Sequence, residues 1–266
     1  MSDAPGRVTE LTRQAADSGA ELVVVVGGDG TVNEALNGLA PASTKSPELA
    51  LVPCGTGDDF ARTFEIPSRL EQALAVAAHG TARPVDVGRA RLQGHGGDEA
   101  ERYFANFAGA GISGAIARRG AVTSRRLGAR AAYFWATVVV FARWKSVPMT
   151  IEADGERREG LMFEVIVANG AYAAGGMRIA PDAVPDDGLF DLVLFGDVTK
   201  PDFLTTFPKI YRGTHVAHPK VEVLRAREVS VEAGEPLPVV LDGEQPGTTP
   251  VRFEIVPGAL KLRVPS

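Results

Sequence analysis

One cysteine, Cys54, stands in 266 residues, so no disulfide closes within the chain and a reducing cytoplasm is the expected compartment. Histidine is scarce as well, with four copies. Only His215 and His218 lie close together, and two imidazoles without a third ligand make no metal site. There is no surplus of positive charge: 28 Lys and Arg face 33 Asp and Glu, for a net charge of -5. That balance argues against nucleic acid as a partner, because gripping a phosphate backbone draws on a basic excess. Long hydrophobic runs are missing too. The longest, Ala131 to Ala142, is too short to span a bilayer and is flanked by Arg130 and Arg143. The opening MSDAPGRVTELTRQ holds no apolar core of a signal peptide. No repeat of fixed period and no low-complexity linker is found.

What is present changes character along the chain. Val8 to Ser18 reads as an amphipathic helix ending at Gly19, with Val8, Leu11 and Ala15 on its apolar face. Leu22 to Val26 is a continuous apolar run, the pattern of a strand buried on both faces. Thr31 to Leu39 returns to helical periodicity, with Gly38 or Pro41 as its stop. A second strand covers Leu49 to Pro53, and Arg69 to His79 forms a helix ended by Gly80. This alternation predicts an α/β layer with parallel strands over residues 1–84. From about Val85 short alternating segments follow, among them YFANFAG, MFEVIVAN, LFDLVLF, LPVVLDGE and VRFEIVP. They predict a mostly antiparallel β region over 85–266, interrupted by a helix from Ser124 to Trp144. Trp135 and Trp144 read first as core residues, with a place at an interface as the alternative.

A strand, a glycine loop and a helix in that order suit a phosphate, since glycine admits close backbone approach and a helix N-terminus offers free N–H groups. In GGDGT these are Gly27, Gly28 and Gly30, with Thr31 at the helix start. A bare GGDG reads first as a tight turn. Asp29 repels phosphate directly but suits one that carries Mg²⁺. A second loop, PCGTGDDFAR, repeats the arrangement after the next strand, and two such loops at successive strand ends face one crevice. The GxxxxGK[ST] loop of Walker-type NTPases and the G-x-G-x-x-G of dinucleotide-binding folds are both absent. PDAVPDDGLFD reads on its own as a turn feeding a strand, and VVLDGEQP as a hairpin turn at Asp242-Gly243.

VVVVGGDGTVNEALNGL followed by VPCGTGDDFAR resembles the catalytic domain of diacylglycerol kinases and related bacterial lipid kinases. NAD kinases and 6-phosphofructokinases share the first loop. The second narrows the choice, because lipid kinases read G-T-x-N-D-F-[AG]-R there, Asp58 standing where Asn is usual. VDVGRA, NFAGAGISGAI, APDAVPDDGLFDLVLF and LDGE extend the resemblance over nearly the whole chain.

The resemblance implies an NAD kinase/diacylglycerol kinase-like fold, an α/β nucleotide-binding domain with a parallel sheet plus a mostly antiparallel β-rich domain. It implies ATP bound along Gly27, Gly28, Asp29, Gly30, Thr31, Val32, Asn33, Glu34, Gly55 and Thr56. Asp29 and Asp59 would belong to the catalytic Mg²⁺ network, with Asp86 near them, and Glu244 would take the proton of a lipid hydroxyl. A structural Mg²⁺ would be held by the Asp187 carboxylate and the carbonyls of Val184 and Leu189. The implied partner is a diacylglycerol-like lipid, met by peripheral contact at the inner face of the membrane.

Arg118, Arg119, Arg125, Arg126 and Arg130 precede an apolar helix, and such a run reads first as a solvated face, second as a contact for anionic headgroups or ATP phosphates. Members of the resembling family begin with a strand ending in an N-P-x-[SA]-G loop, a helix and a second strand, whereas this chain starts in the helix before GGDGT. The favoured expectation is a start assigned too far downstream. A truncated, inert nucleotide- or lipid-binding paralogue and a homodimer covering the raw sheet edge are the alternatives. For activity, the alternative is an NAD-kinase-like enzyme, against which PDAVPDDGLFD and LDGE speak.

Overall fold

The computed structural model describes residues 6–40, 47–122 and 129–266. Its first part alternates helix and strand: α1 (Arg7–Asp17), β1 (Leu22–Gly27), α2 (Asp29–Leu39), β2 (Glu48–Pro53), α3 (Asp59–Thr63) and α4 (Leu70–His79). β1 and β2 pair in parallel, from Leu22 opposite Glu48 to Gly27 opposite Pro53. β2 continues in parallel onto the far end of β13 (Glu244–Val264), with Leu262 opposite Leu49. The last strand therefore joins the sheet that the first two begin.

β1 departs from the expected burial on both faces. Val25 is 4% exposed, but Val24 and Val26 are 45% and 62% exposed. Position explains it: among the described residues β1 pairs with β2 alone and so lies at the edge of the sheet. One face packs into a core of Val25, Leu49 and Leu51 with Val32, Leu36 and Leu39 of α2, and the other stays open. α1 departs similarly. Leu11 is exposed and Thr12 is buried, its hydroxyl donating to the Ala35 carbonyl of α2 at 3.2 Å. A Cβ on Gly38 would collide with Thr12 Oγ1 and the Thr9 carbonyl. Gly38 therefore does not stop α2, which runs through it; its bare face is what lets α1 cross so closely.

The remaining strands are β3 (Thr81–Gly94), β4 (Glu99–Phe104), β5 (Phe107–Gly111), β6 (Val147–Ala153), β7 (Glu156–Met162), β8 (Glu164–Ala168), β9 (Phe190–Phe195), β10 (Val221–Ala226), β11 (Glu228–Ala233) and β12 (Pro238–Leu241). They lie in the order β10-β9-β8-β5-β12-β13-β11-β6-β7, and β13 also pairs with β3, which pairs with β4. All these pairings are antiparallel. Phe104 anchors the core beneath them, stacked on Phe190 at 5.6 Å and meeting the edge of Phe253 at 5.9 Å.

The predicted helix is present as α6 (Ala129–Arg143), and a further helix, α5 (Ile112–Val122), precedes it; the predicted start at Ser124, with Arg125 and Arg126, lies outside the described residues. Trp144 packs as expected and donates its indole N–H to the Phe163 carbonyl at 3.0 Å, whereas Trp135 is 55% exposed. α7 (Lys200–Ile210) is not anticipated by periodicity, yet its start is written in Thr199 and Asp202, which form a reciprocal capping box.

Glu164 is a charged residue buried against the start of α5. Its carboxylate accepts the Ser113 N–H at 2.8 Å and the Ser113 hydroxyl at 2.5 Å, yet burial outweighs these bonds and raises its pKa to about 7. A carboxyl held above its unfolded value binds more protons in the folded state. Its stabilisation is therefore complete below pH 4.5 and is lost as pH rises through 7. Glu164→Gln is expected to remove up to roughly 3 kcal/mol of pH dependence across that window, read as thermal melts of both proteins from pH 5 to 8.

Candidate active site

The two glycine loops meet. A Cβ on Gly28 would lie 2.7 Å from Gly55 Cα, and one on Gly55 would lie 2.5 Å from Gly28 Cα. Only backbone fits at that junction, which sits at the start of α2, where the N–H groups of Thr31 and Val32 already donate to the Gly28 carbonyl and those of Asp29 and Gly30 precede the intrahelical ladder. Asp58 shapes the second loop: it adopts a φ of 51° and its Oδ1 accepts the Gly55 N–H at 2.9 Å. An acceptor suffices for that bond, which accounts for Asp serving where Asn is usual. Gly28→Ala is expected to force the loops apart and cost about 1–3 kcal/mol in stability, measured by denaturant unfolding.

Two carboxylates converge beside the loops. A Cβ on Gly57 would stand 2.9 Å from Asp29 Oδ2 and 3.4 Å from Asp59 Oδ2. Asp29 Oδ1 accepts the Phe60 N–H at 2.9 Å, tying the start of α2 to α3. Asp59 accepts the N–H groups of Gly175 and Gly176, both at 2.7 Å. Burial pushes the Asp59 carboxyl up; the Gly175 and Gly176 N–H groups oppose this, and the charge of Asp29 adds to it. Two acids facing one space, one with an oxygen not engaged, suit a divalent cation that arrives with a nucleotide.

Arg62 completes this corner. It donates to the Gly57 carbonyl at 3.2 Å and lies over the Tyr172 ring, 5.6 Å from its centroid. Neither Arg62 nor the Gly175-Gly176 pair is singled out by the sequence patterns. The Arg of DDFAR and the adjacent glycines of YAAGGM are the available signals.

A third group comes from the far end of the chain. Asp242 and Gly243 form the predicted hairpin turn, with φ of 46° and 92°. Asp242 Oδ2 accepts the Asn33 side-chain amide of α2 at 3.0 Å, so the turn that carries Glu244 is tied to the helix that begins at the first glycine loop. Glu244 itself is exposed and, among the described residues, hydrogen-bonds to none through its side chain.

Other predicted residues point elsewhere. Val32 is buried in the core, and Asn33 also reaches the Tyr103 carbonyl at 3.1 Å. Glu34 accepts the Val8 N–H at 3.1 Å, at the start of α1. Asp86 is a clamp: its carboxylate accepts Gly188 N–H at 2.7 Å and Gly258 N–H at 2.8 Å. Gly27, Gly30, Thr31 and Thr56 stay with the two loops.

In the loop proposed for a structural Mg²⁺, the one carboxylate already has protein partners. Asp187 Oδ1 accepts the Leu189 N–H at 3.1 Å, and Oδ2 is ion-paired to Arg225. Both oxygens of Asp187 are engaged, as both oxygens of Asp59 are, and each oxygen keeps a second lone pair that a cation shared with the Val184 and Leu189 carbonyls would use. Among the described residues no three His, Cys, Asp or Glu side chains group as metal ligands.

Known proteins match this arrangement. Residues 1–90 match the model of the diacylglycerol kinase catalytic domain, and residues 106–264 that of the YegS C-terminal NAD kinase beta sandwich-like domain. A curated diacylglycerol kinase of Bacillus subtilis is 30% identical over 249 residues, covering 93% of this chain and 79% of the relative. A crystal structure of a diacylglycerol kinase from Bacillus anthracis superposes with a TM-score of 0.72 at 25% identity, covering 99% of this chain and 83% of that one. Yeast NADH kinase complexed with NADH shares the fold at 14% identity and a TM-score of 0.52, covering 93% of this chain and 62% of that one. With both halves matched by the paired family models and a 30% identical relative aligned along most of its length, this chain belongs to the diacylglycerol kinase family.

Proposed function

We propose that the protein transfers the γ-phosphate of ATP to the hydroxyl of diacylglycerol or a related lipid. The observation that carries this reading is the bond from Asn33 to Asp242. It sets Glu244, a carboxylate without a side-chain hydrogen bond among the described residues, on a turn tied to the helix whose N-terminus meets the second glycine loop. Residues 1–84 bind the nucleotide, and residues 85–266 supply the base and the lipid-facing wall.

In this reading the triphosphate lies on Gly28, Gly30, Gly55 and Thr56, where absent side chains admit it and helix N–H groups face it. Asp29 and Asp59 would hold a Mg²⁺ brought by the nucleotide, whose chemistry would be neutralisation of charge on the phosphates. Glu244 takes the proton of the lipid hydroxyl as that oxygen bonds to the γ-phosphorus and the bond to the β-phosphate oxygen breaks, releasing ADP. Phosphoryl transfer asks for position and charge neutralisation more than covalent chemistry, so these few groups suffice.

The lipid is met at a membrane surface. Residues 102–151 hold eight of the 28 basic residues and none of the 33 acidic ones, and Trp135 and Val138 of α6 are exposed within that stretch. No helix of the described residues is long and apolar enough to cross a membrane.

The test is transfer of radiolabelled γ-phosphate in mixed micelles containing diacylglycerol, with NAD offered in parallel. Label in the lipid product supports the proposal. Label on NAD, or tight ATP binding with no transfer to any acceptor, overturns it.

A further inference from the structure

The exposed Glu244 bonds to no described residue through its side chain, so the backbone that carries it sets the origin and direction from which its carboxylate reaches. That backbone follows Asp242 and Gly243, both in the left-handed region that side chains avoid, at φ of 46° and 92°. What holds a non-glycine residue there is a set of bonds from other elements. Asp242 Oδ1 accepts the N–H groups of Asn106 at 3.0 Å and Phe107 at 2.9 Å. Oδ2 accepts the Ala105 N–H at 2.6 Å and the Asn33 amide at 3.0 Å, and the Asp242 N–H donates to the Phe107 carbonyl at 3.0 Å.

The anchored segment is itself fixed. The Asn106 carbonyl accepts the N–H groups of Asn169 and Gly170, and the Asn169 amide donates to the carbonyls of Asp86 and Ala105. One carboxylate thus joins three elements: α2 of the nucleotide-binding part, the entry to β5, and the turn that carries Glu244.

We infer that Asp242 is a positioning residue, fixing Glu244 against the helix that receives the nucleotide. It does so by satisfying four N–H donors from two other elements. The inference rests on the proposed role of Glu244 as the base.

A mutant cycle of full-length wild type, Asp242→Asn, Glu244→Gln and the double variant tests it. Asn presents an amide N–H toward backbone N–H groups, so the turn loses its fixed register. Asp242→Asn is expected to lower kcat for lipid phosphorylation about tenfold or more, with KM for ATP altered less than about twofold. In the Glu244→Gln background the same change is expected to alter kcat less than about twofold, because the group it positions is gone. Equal losses in both backgrounds, or a loss confined to KM for ATP, overturn the inference and leave the base reading standing. Full activity in Glu244→Gln alone overturns both. Should Asp242→Asn fail to fold, Gly243→Ala replaces it. Nothing lies within 4 Å of that Cβ, yet the φ of 92° disfavours it. It is expected to show the same loss of kcat, and that loss is expected to disappear in the Glu244→Gln background. Wild-type kcat in Gly243→Ala overturns the inference.

Discussion

Glu244→Gln is expected to lower phosphoryl transfer to lipid about 10²–10⁴-fold, the range of a lost general base, while ATP binds as before. Gln keeps the shape and removes the basic oxygen. Glu244 is exposed and bonds to no described residue through its side chain, so the change disturbs no packing and should shift stability by no more than about 0.5 kcal/mol. That separation makes the variant informative. Steady-state rates together with a nucleotide titration and a thermal melt distinguish a missing proton acceptor from a damaged fold.

Asp29→Asn carries the second large effect. Asn retains an oxygen to accept the Phe60 N–H, so α2 and α3 stay joined. The lost charge is the one that converges with Asp59 on Gly57. Removing a preorganised charge contact at a reacting phosphate is expected to cost about 10²–10³-fold in kcat. Without nucleotide the sign reverses. Asp29 raises the Asp59 pKa, so relieving that repulsion leaves the empty protein as stable as wild type or more so. The check is transfer kinetics beside melts with and without Mg-ATP. A variant slow in transfer but not less stable when empty fits a functional acid; one that melts early fits a structural residue.

Much of this was legible locally. Both glycine loops, the Asp242-Gly243 turn and the strands of the second half follow from short-range patterns, because turn chemistry and period-two alternation act over a few residues. What failed was non-local. Four valines carry no period that tells an edge strand from a central one, so the open face at Val24 and Val26 could not be read. Thr12, rather than Leu11, is buried because Gly38, far along the chain, leaves it room. The donors to Asp59 lie 116 and 117 residues away, and those to Asp242 come from 135 to 137 and, for Asn33, 209 residues back. Sequence identified the acids and gave no sign of what aims them. The same limit governs Asp187: its carboxylate type suits a cation, and only the fold shows Arg225 already paired with it.

The central claim is that nucleotide and base meet at the junction of the glycine loops with the Asp242 turn. The most direct measurement is a crystal structure with Mg²⁺ and a non-hydrolysable ATP analogue. The triphosphate is expected on Gly28, Gly30 and Gly55, the metal at Asp29 and Asp59, and the γ-phosphate facing Glu244 across a space for one hydroxyl. A nucleotide bound away from those loops, or a γ-phosphate turned away from Glu244, would contradict it.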